Sequence, residues 1–358
     1  MNVRSPTVFA VFLSLVAGGS AHAQGFAGLG TQAAEGFALP KPGVPFEFPK
    51  DHGPHPEFRI EWWYVTANLK GSDGRDYGAQ WTLFRSAAAP REGEGWSSPQ
   101  VWMGNAALTT PERQFSAERL ARGGVGQAGV SAAPFSAWID EWQLRASQSP
   151  SNDDQLSHLE MSASGTDFRY RLDLQAKGPI VSHGDNGYSV KSAAGQASYY
   201  YSQPFFTVSG ELEAAGKKVT VAGKAWLDRE WSSQPLAANQ TGWEWFSLHF
   251  DNGEKMMGFR LRDDKGGGFT SGTWIFASGR PTPFSPNELK VTPGSSAAVA
   301  GREIPVVWRI ELPARGLDVT VTALNNAAWV TSQFPYWEGP VRISGSASGI
   351  GYLEMTGY

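Results

Sequence analysis

The run GKAWLDREWSS, residues 223 to 233, holds two acids that could move a proton, Asp228 and Glu230. In an extended strand successive side chains point to opposite faces, so Trp226, Asp228 and Glu230 share one face and Leu227, Arg229 and Trp231 take the other. Two carboxyls this close repel when both are ionised, which raises one pKa and suits that group to general acid catalysis. A structural reading is equally direct: a salt-bridged strand in which Arg229 pairs with an acid across a domain interface. Trp226, Trp231, Trp243 and Trp245 crowd the same region, more densely than a core alone requires, and mark it as a candidate ligand wall.

A third acid stands in HPEFRIEWWYVTANL, residues 55 to 69. Alternation places Glu61 with Trp63, Val65, Ala67 and Leu69 on an apolar face, opposite Trp62, Tyr64, Thr66 and Asn68. A lone charged carboxylate there costs several kcal/mol or more. Glu61 therefore either pairs with an arginine such as Arg85 and closes a barrel end, or takes up a proton and works with Trp63 at a ligand cavity. The pattern has an echo. Glu61-Trp62-Trp63, a strand, an Asp-Gly turn, Gly78 and Arg85 resemble Glu244-Trp245-Phe246, a strand, an Asp-Asn-Gly turn, Gly258 and Arg262. A duplicated barrel with each copy near its own first hairpin has this signature.

Positioning such groups falls to short strands. Residues 61 to 69 and 77 to 84 read as a hairpin, and further alternating runs follow at 101–108, 137–145, 156–162, 168–174, 197–201 and 218–226. A second series starts at 243–250 and 255–262 and ends at 352–355. Fifteen Trp, 20 Phe and 10 Tyr supply core volume, while 42 Gly and 23 Pro punctuate the chain too often for long helices. The class expected is all-β, in two domains because 358 residues exceed what one core serves. Residues 119–136 and 178–195 read as Gly- and Ser-rich loops or covers.

Arg4, the apolar run from Val8 to Val16 and Ala21-His22-Ala23 have the form of a signal peptide, residues 1–23, cleaved near Ala23. The chain is then expected to be periplasmic or secreted, with a flexible Gly/Ala/Pro lead-in over 24–45, one domain over 46–232 and another over 233–358. Later segments are too short to span a membrane as a helix. A net charge of −4 gives no basic surface for nucleic acid. His52 and His55 have a ligand-like spacing without a third ligand nearby, so no metal is expected. Gly124 to Gly129 fits G-x-G-x-x-G but no helix follows it, and no G-x-S-x-G occurs.

Three blocks carry a family resemblance: PKDHGPHPEFRIEWWYVTANL, then GKAWLDREWSSQPL with GWEWFSLHFDNGEKMMGFRLR, and the ending YWEGPVRISGSASGIGYLEMTGY. From about Phe46 to Tyr358 the chain resembles the AttH-like branch of the carotenoid 1,2-hydratase (hydroxyneurosporene synthase) family. The resemblance implies two tandem lipocalin-like antiparallel β-barrels packed together, and the inward faces read for Glu61 and Glu244 then ask for hollow or nearly hollow interiors. It implies either addition of water to an isoprenoid double bond or service as an exported partner of an inner-membrane ABC transporter permease. By this resemblance the catalytic acids are Asp228 and Glu230, with no cofactor, and no histidine of this sequence is matched to the hydratase pattern there. The ligand is expected to be an apolar lipid or isoprenoid, touched by Glu61, Trp63, Trp226, Trp231, Trp243 and Trp245.

Overall fold

Alternating apolar and polar residues between Gly- and Asp-rich turns favour strands over helices along nearly the whole chain. The computed structural model, which describes residues 35–147, 154–234 and 236–358, is made of such strands. Among the described residues helical structure is limited to single turns at Lys50–His52, Gly95–Ser97 and Pro313–Arg315.

The first sheet begins with β1 (Ile60–Gly71), β2 (Asp76–Ala87), β3 (Gln100–Thr109) and β4 (Gln114–Arg122). It continues through β5 (Ala128–Ala132), β6 (Phe135–Ile139), β7 (Trp142–Ala146), β8 (His158–Ser164) and β9 (Phe168–Ala176). The short β10 (Val181–Ser182) and β11 (Tyr188–Val190) precede the long hairpin of β12 (Ala197–Ala214) and β13 (Lys217–Ser232). The order is β4-β3-β2-β1-β13-β12-β9-β8-β7-β6-β5, with β10 and β11 on β12. The sheet curls until its edges meet: Arg119 of β4 reaches Asp140 at 3.7 Å and Glu141 at 2.7 Å, beyond the end of β6.

The second sheet opens with β14 (Gln240–Phe250), β15 (Lys255–Asp263), β16 (Gly268–Ile275), β17 (Pro281–Pro283) and β18 (Lys290–Pro293). After a separate hairpin of β19 (Ser296–Val299) and β20 (Arg302–Pro305) come β21 (Val307–Leu312) and β22 (Leu317–Ala323). It closes with β23 (Trp329–Val330), β24 (Tyr336–Gly345) and β25 (Gly349–Met355). Its order is β17-β16-β15-β14-β25-β24-β22-β21-β18, and Arg260 of β15 donates to the Val291 carbonyl of β18 at 3.0 Å. Both sheets are curled, near-closed and antiparallel, so the fold is all-β with two barrel-like domains.

Their interiors are full, which corrects the expectation of hollow barrels. Trp63, Trp81 and Trp142 are buried in the core of the first and Trp308 and Trp337 in that of the second. Side chains this large occupy the lumen that a ligand would need.

The duplicated pattern is real, with one change of detail. Glu61 lies opposite Arg85 on β2, and Glu244 lies opposite Arg260 on β15, with Arg262 also in contact. The equivalent of Arg85 is thus Arg260. Gly78 and Gly258 are not equivalent: Gly78 faces Asn68 near the far end of β1, whereas Gly258 faces Phe246, two residues from Glu244. Gly78 instead serves the seam between barrels, where a Cβ would come within 2.6 Å of the Tyr352 hydroxyl and 2.7 Å of Pro340.

The expected signal peptide and the lead-in as far as residue 34 lie outside the described residues. From residue 35 the lead-in is tied down: Ala38 N–H donates to the Glu57 carbonyl at 2.9 Å and Lys41 N–H to the Tyr199 hydroxyl at 3.0 Å.

Candidate active site

Two barrels with filled interiors still present outer faces, and these pack against each other. On the first sheet two rungs of the ladder face the seam. One runs Phe84–Trp62–Glu230–Tyr200 and the next Thr82–Tyr64–Asp228–Ser202, across β2, β1, β13 and β12. On the second sheet the facing rung is Glu338–Glu354–Trp245–Phe259, across β24, β25, β14 and β15. Between them lies a cleft with a cavity volume of about 100 Å³ that opens into a larger atom-free space, and Leu236 from the inter-sheet connection is among its lining residues.

Asp228 is the most elaborately held group. Its Oδ1 accepts from the Ser202 hydroxyl and from Trp226 Nε1 at 2.6 Å, and its Oδ2 accepts from the Tyr200 hydroxyl at 2.7 Å. Burial pushes its pKa up to about 7, and the Glu230 charge adds to the rise, against the lowering effect of the three donors. Behind Ser202 stands His183, with Nε2 at 2.6 Å from the Ser202 hydroxyl and Nδ1 at 3.0 Å from Thr273 of β16. Burial, then the Lys191 charge, brings His183 down to about 3, so the ring stays neutral. A neutral imidazole can donate to Ser202 while Ser202 donates to Asp228, or run both bonds in reverse once Asp228 carries the proton. Thr273, His183, Ser202 and Asp228 therefore form a continuous hydrogen-bonded chain that starts on the second barrel and ends in the cleft.

Glu230 pairs with Lys191, whose Nζ lies 2.7 Å from Oε1, and Ser198 donates to the same oxygen. Opposite, Glu354 accepts from Trp243 Nε1 at 2.7 Å. Burial raises its pKa to about 7, with the charges of Asp228 and Glu230 adding to the effect and Trp243 and Tyr64 opposing it. Its cross-strand neighbour Glu338, deeper in the seam, accepts from the Tyr64 hydroxyl. Burial and then the Glu354 charge hold the Glu338 carboxyl well above the usual range.

Of the residues singled out from the sequence, Asp228, Glu230, Trp243 and Trp245 line the cleft, and Trp226 touches it through Asp228. Glu61, Trp63 and Trp231 do not, because alternation sends them into the first barrel. Glu61 is fully buried between Arg85, with Nη2 at 2.9 Å, and Arg229, and His55 N–H donates to it at 2.8 Å. Burial alone would raise its pKa, but the Arg229 and Arg85 charges hold it below the usual carboxylate range, so it stays ionised. The Arg229 guanidinium lies 3.9 Å from the Trp63 ring centre, and Trp231 stacks on His55 at 4.1 Å. Arg229 thus pairs inside its own barrel and not across the domain interface. His52 bonds Tyr201 at 2.7 Å and His55 bonds Asp51 at 3.1 Å, which places both at the turn leading into β1.

The sequence reading missed Trp62, Tyr64, His183, Lys191, Tyr200, Ser202, Glu338 and Glu354. Trp62 and Tyr64 sat on the face of β1 opposite Glu61, and that face meets the seam. Glu354 was legible in principle: Tyr352 and Glu354 alternate with Leu353 and Met355, the pattern of a strand with one face in a core and polar groups on the other. His183 and Lys191 lie in the segment read as a cover. The short strands β10 and β11 fix that segment to β12 and bring both side chains to the acids.

A family model described as AttH-like matches residues 39–358. The chain belongs to the AttH-like family. A crystal structure of a putative AttH from Nitrosomonas europaea is 31% identical, covers 90% of this chain and 99% of its own, and superposes with a TM-score of 0.79. Kievitone hydratase from Nectria haematococca shares the fold at 15% identity, with 90% and 98% coverage and a TM-score of 0.64. CghA, solved with Sch210972, does so at 13% identity, with 91% and 97% coverage and a TM-score of 0.55. None of the curated proteins matches the chain. With these neighbours the two barrels of this AttH-like protein are lipocalin-like.

Proposed function

We propose that this AttH-like protein binds an apolar small molecule, a lipid or isoprenoid, in the seam cleft and adds water to one of its double bonds. The observation that carries the reading is the setting of Asp228: a buried carboxyl held by neutral donors alone, on an aromatic wall, at the end of a hydrogen-bonded chain through Ser202 and His183, where burial pushes its pKa up to about 7. Asp228 gives its proton to one alkene carbon, and the other carbon becomes a tertiary cation. Trp243 and Trp245 stabilise that charge through their ring faces, by up to about 2 kcal/mol when water is excluded. A water oxygen then bonds to the cation and loses a proton to the carboxylate that Asp228 has become. Asp228 is thereby returned to its starting state, and the scheme needs no cofactor. The fold shared with kievitone hydratase supports this choice of reaction.

Export to the periplasm or beyond, and an ABC transporter permease as partner, belong to the same proposal; they rest on the leader pattern of residues 1–23 and on the sequence resemblance. The test begins with protein recovered natively from the exported fraction, its N-terminus expected near Gln24. Mass spectrometry of an organic extract identifies the bound molecule, which is then returned to the protein in ¹⁸O-water. An alcohol carrying the heavy oxygen is expected, and Asp228→Asn should lower its rate by about 10²–10⁴-fold while the molecule still binds. An unlabelled product, or an undiminished rate in the variant, removes Asp228 from the chemistry. A clean extract from protein that ignores apolar ligands removes the binding reading as well.

A further inference from the structure

The cleft already holds one ammonium group. Lys191 Nζ lies 4.4 Å from the Phe259 ring centre, 4.7 Å from that of Tyr200 and 2.7 Å from Glu230 Oε1. Rings and a carboxylate around a nitrogen cation are the elements of an aromatic cage. This one is satisfied from within the chain and uses up Glu230.

Two other carboxyls on the cleft have no such partner. Neither Asp228 nor Glu354 is within ion-pair distance of a Lys, Arg or His among the described residues, and each is held by neutral donors alone. Ser202, Tyr200 and Trp226 bond Asp228, and Trp243 bonds Glu354. They come from different barrels and face one space walled by Trp62, Trp243 and Trp245. The indoles are fixed in orientation, since Trp243 Nε1 is spent on Glu354 and Trp245 Nε1 on the Tyr200 hydroxyl at 3.0 Å. Their faces and edges are therefore preset around the two acids.

We propose that the cleft is a receptor for an organic cation: a quaternary or protonated tertiary ammonium on an apolar chain, seated between Asp228 and Glu354 against Trp243 and Trp245. The assignment rests on the cleft being a ligand site but does not require turnover. It adds to the proposed function a charge at the place where the reaction would develop one, so a stable cation resembles the charged intermediate and should bind better than a neutral chain. The physical reason is desolvation: two acids buried without a counter-charge keep their protons, and a permanent cation can take the place of those protons. The groups around them leave this role open. Tyr64, Tyr200 and Tyr336 are neutral phenols, Glu338 holds its proton, His183 is uncharged, and Lys191 faces Glu230.

The probes are octyltrimethylammonium, 1-octanol and octanoate, titrated calorimetrically into the full protein at pH 6.5 in two buffers of different ionisation enthalpy. Octyltrimethylammonium is expected to bind at least tenfold more tightly than octanol, with octanoate weakest, and to release protons that octanol does not. Asp228→Asn and Glu354→Gln should each shrink the preference for the cation. If either variant fails to fold, the wild-type preference and proton release decide the matter alone. Equal affinity for cation and alcohol, or cation binding without proton release, overturns the inference. In the first case octanol binding leaves the apolar-ligand reading standing, whereas failure of every probe counts against both.

Discussion

Asp228 and Glu61 show how one residue type acquires opposite roles from its surroundings. Both are buried acids on neighbouring strands, but Glu61 has two guanidinium groups and Asp228 only neutral donors. Glu61 is thereby fixed as a charge. Its contribution to stability is present above the unfolded-state pKa and is lost as pH falls. Asp228 behaves in reverse. With its pKa raised from 3.8 to about 7, the folded state binds the proton more tightly than the unfolded one, so its contribution is full below about pH 3.8 and disappears as pH rises through 7. A rise of that size corresponds to roughly 4 kcal/mol. Urea unfolding of wild type and Asp228→Asn from pH 4 to 8 should show the wild type losing several kcal/mol relative to the variant. Parallel pH profiles would mean that Asp228 is solvated and an ordinary acid.

At the scale of elements, the site depends on registers. Ala215 and Gly216 turn β12 into β13 with Ala214 opposite Lys217. A one-residue shift between Gln203 and Phe206 then sets Ser202 opposite Asp228 and Tyr200 opposite Glu230. Without that irregularity the serine would lie one position away, on the other face, and the hydrogen-bonded chain to His183 would be broken. The seam needs equally close fitting. Gly78→Val places side-chain atoms where Tyr352 and Pro340 already stand, and overpacking of this kind costs about 1–3 kcal/mol. Denaturant unfolding should register that loss, and an unchanged midpoint would show that the sheets part easily at this point.

For the whole molecule, the two barrels share one apolar seam. Tyr64, Tyr200, Trp226, Trp245 and Phe259 are buried in it together, and Asn68 of the first barrel donates to the Gly351 carbonyl of the second at 2.8 Å. Separating the domains would expose these rings and unmake the cleft, whose acids come from both sides. A calorimetric scan is accordingly expected to give one cooperative transition for the full chain. Two resolved transitions would show that the seam adds little to either barrel.

The sequence alone determined the strand content, the doubled Glu-aromatic hairpin and the division of β13 into a face with Trp226, Asp228 and Glu230 and a face with Leu227, Arg229 and Trp231. Each follows from the two-residue period of a strand, which is local. It left open which face of each strand meets a core and which meets another sheet, because apolar residues satisfy both. For that reason Glu61 and Trp63 entered the list of ligand contacts while Trp62 and Tyr64 did not. Tertiary structure alone decided that the cleft lies between the barrels. It also decided that His183, through Ser202, and Glu354 from the far end of the chain would meet Asp228, since those encounters depend on sheet closure and on the packing of one barrel against the other.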